Sequence, residues 1–262
     1  MIEDDTELSP ALRLATAVQG VHTRILPFRR ILTRNLCFVL VTVAIHDGDT
    51  SVCNTLWPNF LRDPVIDNVH YQTPGQLRRL SFRFSGGAGM APAEIAWSLA
   101  QLGVMGLPTK LLAYPRVTQR LGALRTWRFF LRFSPLVYAV VPYIAFMPSI
   151  TPPPAGNHGF TVWALVVFFQ GLMVGCSKFT APSQLMLTNF ASPHPSALAR
   201  TNSISYLTTA MVRATAFAVS AWVYSYGSSH GLTGLAWWLA GAASLCGFLV
   251  SLACKEGNGH KI

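Results

Sequence analysis

The stretch "AIHDGDTS" places His46, Asp47 and Asp49 inside an otherwise apolar segment. An ionisable side chain at the centre of a bilayer costs about 2.5–3.5 kcal/mol on insertion scales, so such groups face a bundle interior or a wet cavity. Histidine and a buried aspartate can titrate near neutrality. That chemistry suits proton exchange or the holding of a charged ligand. A second reading ends the first crossing near Ile45 and leaves the triplet at the outer interface. The shortness of Leu36–Ile45 favours it, and the continuing apolar run "NTLWPNFL" opposes it. Lys178, in "GLMVGCSKFTAPSQL", and Arg213, in "MVRATAFAVS", are cations at similar depth in later apolar runs. Each could bind an anionic group, pair with Asp47 or Asp49, or snorkel to an interface on its long stem.

Elements that hold such groups must be membrane helices. The chain has 262 residues, 51% hydrophobic and 11% charged. A soluble domain carries about 25% charged residues, so this chain lacks the solvating surface it would need in water. Six segments are apolar and long enough to cross: Leu32–Phe60, Pro92–Leu112, Trp127–Phe146, Phe160–Gln184, Ser203–Tyr226 and Leu235–Cys254. A crossing needs about 20 residues. The expected fold is an all-α polytopic membrane domain over 32–254, between a lead-in at 1–31 and a tail at 255–262. Six helices divide into two sets of three. An odd number per set makes the second set enter from the opposite face, so the sets form inverted repeats. Pro92 and Glu94 suit the first turn of the second helix, with "GGAG" before them as a flexible entry. Trp222, Trp237 and Trp238 read as interfacial anchors.

The net charge of +10 is distributed between the apolar runs. With six crossings both termini lie on one side. The loop Tyr114–Arg132 and the connection carrying Arg200 lie there too, and the positive-inside rule makes that side cytoplasmic. Arg62, Arg78, Arg79 and Arg83 then face outside, against the trend. Because the arginines flank spans rather than a polar face, no nucleic-acid partner is expected. The first residues, "MIEDDTELSP", have no secretory signal pattern.

Other chemistries find no support. Cys37, Cys53, Cys176, Cys246 and Cys254 have no metal or disulfide spacing. There is no H-E-x-x-H, G-x-S-x-G or Walker-type loop. No metal, cofactor or enzymatic activity is expected. Gln101, Gln170, Gln184, Asn189 and Asn202 read as interhelical hydrogen-bonding residues.

The stretch "YPRVTQRLGALRTWR" resembles the short cytoplasmic loop between the second and third helices of a six-helix half in major facilitator superfamily transporters. Arg120 and Gly122 match the central Arg and second Gly of that family's G-x-L-a-D-R-x-G-R-R pattern. Pro115 and Gln119 replace the first Gly and the Asp, and Arg125 is displaced. "LSFRFSGGAGMAPAEIAW", "SPHPSALAR" and "MVRATAFAVSAWVYSYG", followed by "GLAWW", extend the resemblance to the seventh to twelfth helices of fungal members. The Gly-Pro pair usual after the eleventh-helix Arg is missing after Arg213.

The resemblance implies transport of an unidentified small molecule across a bilayer, in a plasma or vacuolar membrane. It implies that "LPFRRILTRNL" belongs to the linker between halves, and that a second six-helix half, or self-association, completes the machine. Arg116, Arg120, Gly122 and Arg125 would form the cytoplasmic gate loop, or simply anchor the topology. The alternative is a truncated remnant or membrane interaction protein without a transport cycle.

Overall fold

The computed structural model describes residues 31–65, 82–84, 86–147, 149–151 and 156–257. Most of the expected lead-in, the end of the tail, and Arg78 and Arg79 lie outside them. Among the described residues every named element is a helix, and the only strand-like pairings are isolated bridges such as Val65 with Gly86. The helices are α1 (Arg34–Arg62), α2 (Pro92–Pro108), α3 (Tyr114–Leu121), α4 (Ala123–Leu131), α5 (Ser134–Val140), α6 (Phe160–Ala191), α7 (Leu198–Ser229) and α8 (Leu235–Ala253).

They form six columns. A π-helical turn, Thr109–Ala113, carries α2 into α3 without a break. It follows Pro108, whose missing N–H and bulky ring disturb the regular ladder. A 3-10 turn, Val141–Phe146, extends α5, so that 123–146 acts as a single span. Four columns, Arg34–Arg62, Ala123–Phe146, Phe160–Ala191 and Leu235–Ala253, are long and apolar enough to cross a bilayer by length and composition. Helix α7 has 32 residues, ample length, but Ser, Thr and Arg residues dilute its hydropathy.

The columns alternate in direction between two ends. At the lower end, Leu36, Trp127, Leu187, Ala197 and Cys254 pack together. This gathers the start of α1, the α3–α4 turn, the α6–α7 turn and the end of α8. Asn35 and Lys255 clamp it: the Asn35 side chain donates to the Lys255 carbonyl (2.9 Å) and accepts from its N–H (2.7 Å). At the upper end, Phe60, Met90, Phe146, Val162, Tyr224 and Trp237 form the other core.

Local chemistry sets the ends. Thr33 caps α1, accepting from the Leu36 N–H at 3.2 Å. Glu94 accepts from the Ala91 N–H at 2.9 Å and pairs with His158 at 3.2 Å, so the first turn of α2 holds its expected carboxylate. Gly122 turns α3 into α4 at φ 82°, a conformation that suits glycine.

Two expectations are corrected. "GGAG" is a packed entry, not a flexible one. The Ala88 and Met90 N–H groups bond to the carbonyls of Phe60 and Leu61, at 3.0 and 2.8 Å. A Cβ on Gly87 would fall 1.9 Å from the Phe60 carbonyl oxygen, so the backbones touch only because it is glycine. Trp237 is no interfacial anchor: it is fully buried against Trp57, Phe60 and Tyr138, whereas Trp222 is exposed.

Candidate functional site in the centre of the bundle

Helix α1 runs unbroken through His46, Asp47 and Asp49 to Arg62. Successive helical residues turn by about 100°, and the triplet therefore addresses different neighbours. His46 is buried and turns to α6, where its Nε2 lies 2.6 Å from the Thr180 hydroxyl. Its Nδ1 is buried without a hydrogen-bond partner. Asp47 turns to α7 and pairs with Arg213 at 3.2 Å. Asp49 is buried, and its backbone carbonyl accepts from the Tyr138 hydroxyl at 3.1 Å. A second link joins the same helices, since Ser51 donates to the Arg213 carbonyl at 3.0 Å.

Depth follows from counting. From the lower end, His46 lies 12 residues past Arg34, and Thr180 lies 11 before Ala191. Lys178 lies 13 before Ala191, and Arg213 lies 15 past Leu198. At 1.5 Å per residue these positions are about 17–23 Å from the lower end, in helices about 43–48 Å long. All the charged groups thus sit near mid-height.

Two adjoining cavities open beside them, both bordered by His46, Thr50, Leu102, Ser177 and Lys178. One, of about 220 Å³, reaches the apolar side chains of Trp57, Val137 and Met173. The other, of about 460 Å³, is bordered by Asp47, Arg213 and Lys110. Asp49 borders neither. Lys178 is half-buried, and its stem crosses α2 over Gly106, where a Cβ would come within 2.9 Å of its Cε.

The structure thus brings His46, Asp47, Lys178 and Arg213 to one cleft and sets Asp49 behind it. It also supplies Thr180, which the sequence reading missed. The signal was available: His46 and Thr180 stand at matching depth on antiparallel helices. Gln170 links α6 to α2, donating to the Ser98 hydroxyl (2.6 Å) and carbonyl (2.9 Å). Gln184 donates to the Val43 carbonyl at 3.4 Å. Among the described residues no cluster suits a metal ion.

The loop arginines are placed differently from one another. Arg116 bonds within its own helix, to the Leu112 carbonyl at 2.9 Å, while Arg120 and Arg125 are exposed. The contact to a helix C-terminus is made by Arg128, which donates to the carbonyls of Ser251 (3.1 Å), Leu252 (3.2 Å) and Cys254 (2.6 Å). These carbonyls lie at the negative end of the α8 dipole, where a guanidinium is favoured.

Comparison with known proteins follows the same line. No protein-family model and no solved structure matches the chain. Over 229 residues it is 27% identical to the major facilitator superfamily multidrug transporter mfsB of Aspergillus fumigatus. That alignment covers 87% of this chain and 35% of the relative, so the chain spans about a third of its length. Its four apolar helices of membrane-crossing length and this similarity mark the chain as an integral membrane protein similar to a fungal major facilitator superfamily transporter.

Proposed function

We propose that this chain is one six-helix half of a secondary transporter, which moves a small molecule across a membrane together with a second six-helix set. The observation that carries the reading is the charged cleft at mid-height: a paired Asp47 and Arg213, beside His46 and Lys178. Charges at that depth are costly unless a pathway or binding site uses them. In transporters of this construction, substrate and ion sites lie near the bilayer midplane between repeats, and one body rocks against another.

The lower end faces the cytoplasm. Arg34, Arg116, Arg120, Arg125, Arg128 and Arg132 lie at or beside it, and the positive-inside rule favours that side. The membrane is plasma or vacuolar. Exposed large side chains on α2 and α7, among them Val104, Leu107, Leu207, Met211 and Phe217, need lipid or a second set to cover them. That set is a separate six-helix half or a second copy of this chain.

The test is uptake by the purified chain in proteoliposomes under an imposed proton gradient, with a panel of drugs, sugars and organic anions. Saturable, gradient-driven uptake is expected from paired preparations and not from a demonstrated monomer. Uptake by the monomer would remove the need for a second set. No uptake from any paired preparation would sink the transport reading.

A further inference from the structure

From the charge balance of the central cleft we infer that its ligand is an amphipathic organic anion: a carboxylate or sulfonate head on an apolar body. The inference rests on the transport reading and adds a substrate class to it. Three acidic or imidazole groups on α1 suggest at first an acidic site for cations. The structure distributes them otherwise. Asp47 is already paired with Arg213 at 3.2 Å. Asp49 is buried behind the cleft and borders neither cavity. What remains at the cavity wall is cationic. Lys178 has no ion-pair partner among the described residues, and Lys110 borders the larger cavity beside it.

A half-buried ammonium at this depth, with no ion-pair partner among the described residues, attracts an anionic group, and a ligand carboxylate supplies one. The three donors of the ammonium can take the oxygens of such a head, while the neighbouring hydroxyls of Thr50 and Ser177 are spent on the His46 and Val174 carbonyls. From Lys178 the smaller cavity leads to Trp57, Val137 and Met173. That surface suits a flat or aliphatic body, since apolar walls with few polar groups bind the bulk of a ligand and orient its head. Its volume of about 220 Å³ suits a body of two fused rings.

Three probes of one shape separate the possibilities: 1-naphthoate, 1-naphthylmethylammonium and 1-naphthylmethanol. Their binding to the full chain in lipid nanodiscs is measured by equilibrium displacement of radiolabelled 1-naphthoate, with empty nanodiscs subtracted. The acid is expected to bind at least about tenfold more tightly than the amine or the alcohol. Lys178→Gln should weaken the acid about tenfold and leave the alcohol unchanged, the size of a lost charge-assisted bond. Lys178→Arg, which keeps the charge, should stay within about threefold of the parent for the acid. Circular dichroism melting confirms that each variant is folded.

Equal or tighter binding of the amine would overturn the inference. So would an unchanged affinity for the acid in folded Lys178→Gln, or no saturable binding of the acid at all. Uptake of the amine but not the acid would also overturn it, while leaving the transport reading in place. Tight, Lys178-dependent binding of the acid by preparations that show no uptake would uphold this inference and sink the transport reading instead.

Discussion

Arg213→Ala is expected to abolish uptake in paired preparations and to lower the stability of the bundle by about 2 kcal/mol. Breaking a fully buried ion pair by removing one partner costs about 3–5 kcal/mol, because the other charge is left uncompensated. The lower figure applies here because the Arg213 side chain is 56% exposed, which weakens the pair, while that of Asp47 is 16% exposed. The cost therefore falls chiefly on the carboxylate. Neutralising it as well, in Asp47→Asn with Arg213→Ala, should recover most of the stability, since no orphan charge remains. It should not recover uptake if the pair is part of the pathway. Thermal unfolding in nanodiscs and uptake measured on the same preparations separate the two effects. A single variant that melts and transports like the parent would show the pair to be ornamental. A double variant that transports normally would show that the pair matters only for folding.

Trp237→Ala should cost about 3–5 kcal/mol, the range for emptying a large aromatic from a packed core. Trp237 is fully buried, and its ring meets Trp57 and Phe60 edge-on at 6.3 and 6.1 Å and Tyr138 at 6.3 Å. It joins α8 to α1 and α5 at the upper end. Lipid is as apolar as the core, so what is lost is close packing rather than shelter from water. The damage should spread towards the cleft, because Tyr138 also holds the Asp49 carbonyl. Trp237→Phe should lose much less, since the Trp237 indole N–H has no partner to forfeit. Thermal unfolding of both variants checks the order. An alanine variant within about 1 kcal/mol of the parent would mean that this junction is not part of the core.

The helices were legible in hydropathy, and their full lengths were not. Pro92–Leu112 ended where the apolar run ended, yet the helix continues through the π turn to Leu121, because "YPRVTQRL" is amphipathic and leaves the apolar zone without unwinding. Ser203–Tyr226 was similarly short of Leu198–Ser229. Hydropathy reports the part of a helix in hydrocarbon; caps and turn residues decide where it stops. The depth of the charges was legible by counting residues along the runs. Which charges meet was not. Pairing of Asp47 rather than Asp49 with Arg213 depends on how α1 and α7 are rotated, and a single chain's spacing carries no signal for that. The role of Arg128 was hidden for a related reason: it stands one helical turn from Arg125 and Arg132, and only the position of the α8 C-terminus singles it out.

The central claim is that the columns cross a bilayer and enclose a wet, charged cleft at mid-depth. Spin labels on the full chain in nanodiscs test it most directly, through their accessibility to oxygen, which concentrates in lipid, and to a water-soluble nickel chelate. Labels are placed singly at Ser177, on the cleft wall, and at Leu245 and Leu249, on the exposed face of α8. The account predicts oxygen access and no nickel access at Leu245 and Leu249, and nickel access at Ser177, although Ser177 lies 14 residues from the lower end of its helix and they lie 8 and 4 from the lower end of theirs. Nickel access at Leu245 and Leu249 would show that α8 does not lie in lipid, and exclusion of nickel from Ser177 would show that the cleft is dry; either result would contradict the account.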